Sequence, residues 1–330
     1  MCGTAWPDRS ASVSKAGSRI RLFRDSHGPC LHPAGSVVCV GAFDGLHRGH
    51  RGLIEAAAVS AQDRGLPLVG LSFEPLPREL FAKAAPPPRL VLPRGKIEGL
   101  RALGCGTVGL LRFNAAMVSM SPQAFIEAVL VQRLNAREIW VGRDFRFGHQ
   151  RAGDFAVLQG AGARMDFETR SIDAVTLDDE RVSSSRIRAA LLEGRLDDAA
   201  RLLGRPYAIS GKVVRGAQLG RQLGYPTANL RFGGKVPALS GIYATRVHGV
   251  GAKPWPSVSS LGTRPTVNGR EPLLEAHLFD FDGDLYGRRI EVEFVAKLRE
   301  ELKFDDLDTM VEQIHRDAEQ ARALLAHTQG

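Results

Sequence analysis

The sequence predicts an α/β chain: a parallel sheet with crossover helices, followed by a smaller antiparallel β-barrel. Three observations carry this. Apolar runs rich in Val alternate with helical segments through the first half. After Gly204 the composition changes to short β-type runs broken by glycine. The length, 330 residues, suits two domains on the usual span of about 100–200 residues each.

The first strand is read over Ser36–Gly41, where SVVCVG ends in a Phe-Asp-Gly turn. LHRGHRGLIEAAAVSA then restarts as a helix, with Leu46–His50 as its expected first turn. Pro67–Phe73 is the second strand, closed by the prolines of Glu74-Pro75-Leu76-Pro77. Lys96–Leu103 reads as a helix ending at Gly104, and Thr107–Leu111 as the third strand. Ser121–Leu134 reads as a helix with Ser121 at its N-cap and Pro122 at N1. Glu138–Val141 is the fourth strand and runs into GRDFRFGHQRAGD. A helix AALLEGRLDDAARLLG follows Val182–Arg188, and residues 189–204 are expected to link the two domains. In the second half, YAISGKVV, SGIYATRV, EAHLFDF and RIEVEFVAKL are the strand candidates, and Asp306–Leu325 is a terminal helix. Residues 1–19 read as a disordered polar leader and Ala84–Pro88 as an exposed loop.

The net charge of +8 is not gathered into an arm: residues 1–36 hold five basic and two acidic side chains, residues 300–330 three and eight. Without a basic stripe interleaved with aromatics, small anionic substrates are expected as partners and nucleic acid is not. The four cysteines form no CxxC pair, which fits a reduced cytoplasm. No apolar run reaches the roughly 18 residues of a spanning helix, so no membrane partner is expected. The self-association expected is that of a monomer or weak homo-oligomer.

Two segments carry phosphate chemistry. In GAFDGLHRGH, His47 and His50 stand three apart, so a helix starting there puts both imidazoles on one side of its positive end. Gly45 and Gly49 allow a phosphate chain to approach backbone N–H groups. In VSSSRIR, hydroxyls at a helix start either cap its amides or join Arg186 and Arg188 in holding a triphosphate. Strands of a parallel sheet gather ligands at their carboxyl ends, where Gly41 and Gly142 both lie, so the histidine turn and RDFRFG can face one cleft. Within the second half, GRQLGYPTAN (220–229) reads as a loop in which Thr227 and Asn229 offer hard oxygen ligands suited to Mg²⁺.

Taken together, GAFDGLHRGH and SSSRIR resemble the two signatures of the nucleotidylyltransferase superfamily. GxxxGYPTAN, SLGTRPTVNG (260–269) and Glu275 in LLEAHLFDFDGDLYG resemble the riboflavin kinase module. The chain from about Ile20 to Leu325 thus resembles the bacterial bifunctional riboflavin kinase/FAD synthetases. That resemblance implies a Rossmann-like adenylyltransferase over 20–188 and a six-stranded antiparallel kinase barrel with a terminal helix over 205–330. It implies riboflavin, FMN and FAD as substrates and products, ATP as co-substrate and Mg²⁺ as cofactor. By motif, Gly41, Phe43, Asp44, His47, Gly49, His50, Ser183, Ser184 and Arg186 would surround ATP in the adenylyltransferase, the two histidines stabilising charge. In the kinase, Gly216, Gly220, Tyr225, Pro226 and Arg299 would bind ATP and flavin, Thr227 and Asn229 the metal, and Glu275 would be the general base. Phe145 and Phe147 of the RDFRFG loop match the family too. Ala42, Leu76, Arg143, Ser185 and Ser260 stand where the family often has Asn, His, Glu, Thr and Asn. Two other readings stay open: a single-activity nucleotidylyltransferase with an idle barrel, and a flavin- or nucleic-acid-binding regulator.

Overall fold

The computed structural model describes residues 20–82, 84–216, 219–266 and 269–327, so the expected leader lies outside the described residues. These residues form two compact units, one of 20–87 with 96–183, the other of 88–95 with 184–327.

The first unit contains a six-stranded parallel sheet: β1 (Arg21–Phe23), β2 (Ser36–Val40), β3 (Leu68–Glu74), β4 (Thr107–Arg112), β5 (Ala136–Gly142) and β6 (Glu168–Ile172). Its order is β1-β4-β3-β2-β5-β6. All five residues of β2 are buried because the strand is covered on both faces. Val37 and Cys39 belong to one core with Leu53, Ile54 and Ala57 of α1 (Arg48–Asp63) and Leu100 of the helix at 93–102. Val38 and Val40 belong to the other, with Phe125, Leu130 and Leu158. Strand order reverses between β2 and β5, the switch point at which such sheets open a crevice. The loops after Val40 and Gly142 leave from these two paired neighbours.

Four strands of this sheet are expected from the sequence; β1 and β6 are additional. Both are edge strands, and ETRSI has no fully buried residue, so neither shows the continuous apolar run of a central parallel strand. Between β3 and β4 lie a short helix, α2 (Pro77–Leu80), and α3 (Pro93–Ala102); α4 (Ala115–Ser119) follows β4. Ser121 caps α5 (Pro122–Phe125) as expected, accepting from the Ala124 N–H at 3.1 Å, but the segment continues with wider π-type turns over Ile126–Arg133. α6 (Phe155–Met165) precedes β6, and a two-residue-per-strand hairpin, β7 (Thr176–Leu177) with β8 (Glu180–Arg181), follows it.

The helical segment after Ser183 is two helices rather than one. α7 (Ser184–Leu192) and α8 (Leu196–Leu203) are separated at Gly194, whose φ of +74° interrupts the right-handed helix. α9 (Leu219–Gln222) is one turn. The second unit's sheet is a closed antiparallel barrel of β9 (Ala208–Val214), β10 (Ala228–Arg231), β11 (Gly241–His248), β12 (Trp255–Thr266), β13 (Gly269–Leu278) and β14 (Arg289–Arg299). Its order is β10-β13-β12-β11-β14-β9, closed by β9 on β10. β10 and β12 are the strands that sequence pattern misses. β12 turns Ser257 and Ser259 into the barrel, where both hydroxyls bond Thr245 Oγ1 at 2.7 Å, so the buried positions are polar in the sequence. The terminal helix, α10 (Leu307–His327), packs Ala318, Ala321 and Leu325 against Ile242, Ala244 and Val258.

Candidate functional site

The stretch after β2 is a strained turn held by burial. Phe43, Gly45 and Leu46 take φ of 48°, 89° and 48°. For Phe and Leu the left-handed region costs of order 1 kcal/mol or more each, and it persists where packing over-determines it. Phe43 is wholly buried and Leu46 nearly so. Gly41 is needed for this arrangement, because a Cβ there would stand 2.9 Å from the Phe43 ring. With Leu46 left-handed, the helix starts two residues later than Leu46, and His47 becomes the N-cap: its Nδ1 accepts the His50 N–H at 3.3 Å. In the neutral ring the proton of His47 then sits on Nε2.

His47 and His50 lie on one side, as their spacing predicts, with rings stacked 3.7 Å apart at 17°. Phe43 meets His50 edge-on at 5.3 Å. Burial, then the neighbouring His47, Lys96, Arg181 and Arg78, hold the His50 imidazole well below its ordinary pKa, so at neutral pH it is uncharged. Its Nδ1 is buried and has no hydrogen-bond partner among the described residues. Gly49 makes room for His47: a Cβ would touch that ring at 3.3 Å and the Val182 carbonyl at 3.9 Å. The chain just before Ser183 thus passes the first turn of α1. Ser184 and Arg186 occupy the first turn of α7.

The other cleft residues expected from the sequence divide. Asp44 is buried at 2% exposure. In the loop after β5, Asp144 binds Arg181 at 2.9 Å, and that hydrogen bond holds its carboxyl below the usual range. Arg143 is exposed and reaches Asp173 at 3.3 Å. Phe145 and Phe147 stack at 5.4 Å, and Phe147 is part of the core beneath β5. Leu76 is buried at 1% exposure, and its N–H is taken by Glu79 Oε2 at 2.8 Å at the start of α2.

Sequence pattern gives Lys96 no role, yet it is completely buried. Its Nζ donates to the Ala42 carbonyl at 2.8 Å, to Ser72 Oγ at 3.2 Å and to the Phe73 carbonyl at 3.5 Å. Ser72 Oγ donates to the same Ala42 carbonyl at 3.0 Å. The ammonium therefore ties the turn after β2 to the end of β3, and the strained Phe43 follows directly. Lys96→Met keeps the stem and removes the donors; it is expected to cost about 1–3 kcal/mol in denaturant unfolding of the first unit. An unchanged midpoint would mean that the ammonium holds nothing in place.

In the barrel, register assembles a second constellation. Asn229 of β10 is paired with Glu275 of β13, and Glu275 with Ser260 of β12. Antiparallel neighbours directly opposite share one face, so the three side chains form a row. Asn229 is buried, and its Nδ2 donates to Thr227 at 3.2 Å (carbonyl) and 3.3 Å (Oγ1). Its Oδ1 is buried with no hydrogen-bond partner among the described residues. Gly216 faces this amide, since a Cβ there would lie 3.0 Å from Cγ, Nδ2 and Oδ1. Gly220 lets the loop fold back: its carbonyl accepts the Tyr225 N–H at 2.7 Å, and a Cβ would stand 2.5 Å from the Tyr225 carbonyl. Among the described residues no group of three or more His, Cys, Asp or Glu could hold a metal. The oxygens of Thr227 and Asn229 are a different donor set. A buried oxygen without a partner is what a hard cation would satisfy.

Arg299 is engaged elsewhere. Its Nε and Nη2 fork onto the buried Asp317 of α10 at 2.9 and 2.6 Å, and Nη1 donates to the Glu300 carbonyl at 2.9 Å. The pair fastens α10 to the end of β14. Tyr225 also reaches α10: its hydroxyl hydrogen-bonds His315 Nδ1, and its ring lies edge-on to His277 at 5.0 Å.

Residues 31–186 match the FAD synthetase family and residues 203–325 the riboflavin kinase family. The chain is 42% identical over 310 residues to the bifunctional riboflavin kinase/FMN adenylyltransferase of Escherichia coli K12, covering 94% of this chain and 99% of that protein. To the Haemophilus influenzae protein of the same description it is 38% identical over 304 residues, covering 92% and 99%. A crystal structure from Streptococcus pneumoniae, named a macrolide-efflux protein, is similar with a TM-score of 0.73 at 30% identity, covering 92% of this chain and 99% of that one. Among the described residues no helix is long and apolar enough to cross a membrane.

Proposed function

The chain belongs to the bifunctional riboflavin kinase/FMN adenylyltransferase family, and we propose that each of its two activities runs on one of the two residue constellations above. It phosphorylates riboflavin to FMN in the C-terminal part and adenylylates FMN to FAD in the N-terminal part. The functional boundaries proposed are 188 and 205, with 189–204 between them; family matches over 31–186 and 203–325 support that reading. The partners are the small-molecule substrates. A cytoplasmic location fits the free thiols of Cys30, Cys39 and Cys105, and the self-association proposed is that of a monomer or weak homo-oligomer.

For the kinase, the single observation that carries the reading is the register of Asn229 with Glu275 beside a buried oxygen that lacks a partner among the described residues. Thr227 and Asn229 would hold Mg²⁺ beside the nucleotide, and the ion when bound would neutralise charge on the phosphates. Glu275 accepts the proton of the ribityl 5′-hydroxyl. A carboxylate suffices because a loose phosphoryl transition state asks mainly for positioning. Gly216, Gly220, Tyr225 and Pro226 shape the nucleotide loop, and Arg299 acts on the flavin side through its hold on α10.

For the adenylyltransferase, Gly41, Phe43, Asp44, His47, Gly49, His50 and Ser183 hold ATP for in-line attack by the FMN phosphate on the α-phosphorus. Ser184 and Arg186 carry the same role on their motif. His50 is neutral, so it assists as a hydrogen-bond donor to the departing pyrophosphate oxygens rather than as a cation. The positive charge beside it comes from Lys96, Arg181 and Arg78.

The test is an incubation with riboflavin, ATP and Mg²⁺, resolving FMN and FAD by chromatography. Both products are expected in sequence, FMN first. No FMN would remove the kinase assignment, and FMN without FAD would confine activity to the barrel.

A further inference from the structure

One imidazole beside the kinase constellation has no assigned role. His277 lies two residues after Glu275 on β13, so the two side chains emerge on the same face of one strand. Its Nδ1 lies 2.9 Å from the carbonyl oxygen of Pro226. A carbonyl only accepts, so Nδ1 carries the proton and donates. Pro226 immediately precedes Thr227, and Thr227 and Asn229 are the pair assigned above to Mg-nucleotide. His277 also packs edge-on against Tyr225 at 5.0 Å.

Tyr225 is also held by His315 of α10, with ring centroids 5.2 Å apart and the hydroxyl bonded to Nδ1. Burial, with Glu319 nearby, raises the Tyr225 pKa, so the phenol keeps its proton and bonds His315 as a neutral group. Before Thr227 the loop is thus held by the Gly220 carbonyl on the Tyr225 N–H, by His315 on the hydroxyl, and by His277 on the Pro226 carbonyl. The last of these comes from the strand that bears Glu275.

We propose that His277 is a positioning residue of the kinase site, holding the Pro226 carbonyl so that Thr227 and Asn229 present their oxygens to Mg-nucleotide in register with Glu275. One strand then sets both the carboxylate and the metal-bearing loop, and the relative placement of base and nucleotide is fixed by a two-residue spacing. A distortion of about 1 Å at such a site can cost about 10²-fold in rate, which gives a remote hydrogen bond leverage. The inference rests on the assignment of Thr227 and Asn229 to Mg-nucleotide, so the experiment separates the two.

The full chain is titrated with Mg·ADP while amide hydrogen exchange is followed in the peptide covering residues 223–231, which reports this site and not the adenylyltransferase. His277→Ala is expected to shift the ligand concentration giving half-protection upward about tenfold, the scale of one hydrogen bond to a carbonyl. KM for ATP in FMN formation should rise with it by more than kcat falls. His277→Asn keeps an N–H donor near the Nδ1 position and is expected to restore most of the loss. Asn229→Ala is the control for the underlying assignment and should abolish protection. If Asn229→Ala loses protection while His277→Ala titrates like the parent chain, the positioning role is overturned and the metal assignment stands. If His277→Asn is as weak as His277→Ala, the hydrogen bond is not the cause and the proposal also fails. Protection that survives Asn229→Ala would overturn the metal assignment and this inference with it. Should His277→Ala leave the loop unfolded, seen as fast exchange without ligand, His277→Asn decides.

Discussion

FMN formation is expected to fall about 10²- to 10⁴-fold in Glu275→Gln, while the same polypeptide still converts supplied FMN to FAD. The magnitude is that of a lost general base. Gln is nearly isosteric with Glu, so packing of β13 against β10 and β12 survives and only the proton acceptor goes. Glu275 is only partly buried, so the amide meets no full desolvation penalty. The adenylyltransferase residues from Gly41 to His50, with Ser183, lie in the other compact unit, around β2 and α1, and neither they nor Ser184 and Arg186 share a residue with this row. Measuring both products in one preparation makes each activity the folding control for the other. Equal loss of FMN and FAD formation would contradict two separate centres. Full retention of FMN formation would return Glu275 to the status of a strand residue with a structural partner.

The sequence made the frame of both sites legible wherever burial is continuous along the chain. β2 reads at once because SVVCV is buried on two faces, and the histidine turn reads because glycines bracket it. The register of Asn229 against Glu275 was not legible. Both residues are polar, β10 is only four residues long, and its partner β13 is distant in sequence, so no local period links them. Lys96 and His277 escaped for a related reason. A lysine among polar neighbours in PRGKIEGLRA reads as exposed, and only the position of the Ala42 carbonyl makes it a buried staple. A histidine alternating with apolar residues in EAHLF reads as a solvent-side strand position until the Pro226 carbonyl is found beside it. The helix start was misplaced by two residues because left-handed Phe43 and Leu46 are held by tertiary packing, which propensity does not contain.

His50→Ala is expected to lower FAD formation about 10²- to 10³-fold with FMN formation unchanged, the effect of removing one preorganised donor from a site of growing negative charge. His50→Gln, which keeps an N–H, should retain part of the rate. Acid pH supplies an independent readout. Burial and four neighbouring bases and cations lower the pKa of His50 in the folded chain, so the unfolded chain takes up this proton first as pH falls. Above the ordinary imidazole range both states are neutral there, and His50 adds no pH dependence. Below it, stability of the first unit drops progressively until the pH passes through the lowered folded value. Thermal midpoints measured from about pH 8 down to about pH 5 should therefore fall less steeply in His50→Gln than in the parent chain. Parallel curves for the two proteins would mean that His50 titrates normally in the fold. The stacked ring of His47 would then tolerate a charged partner, and a cationic fraction of His50 would contribute below the ordinary imidazole range.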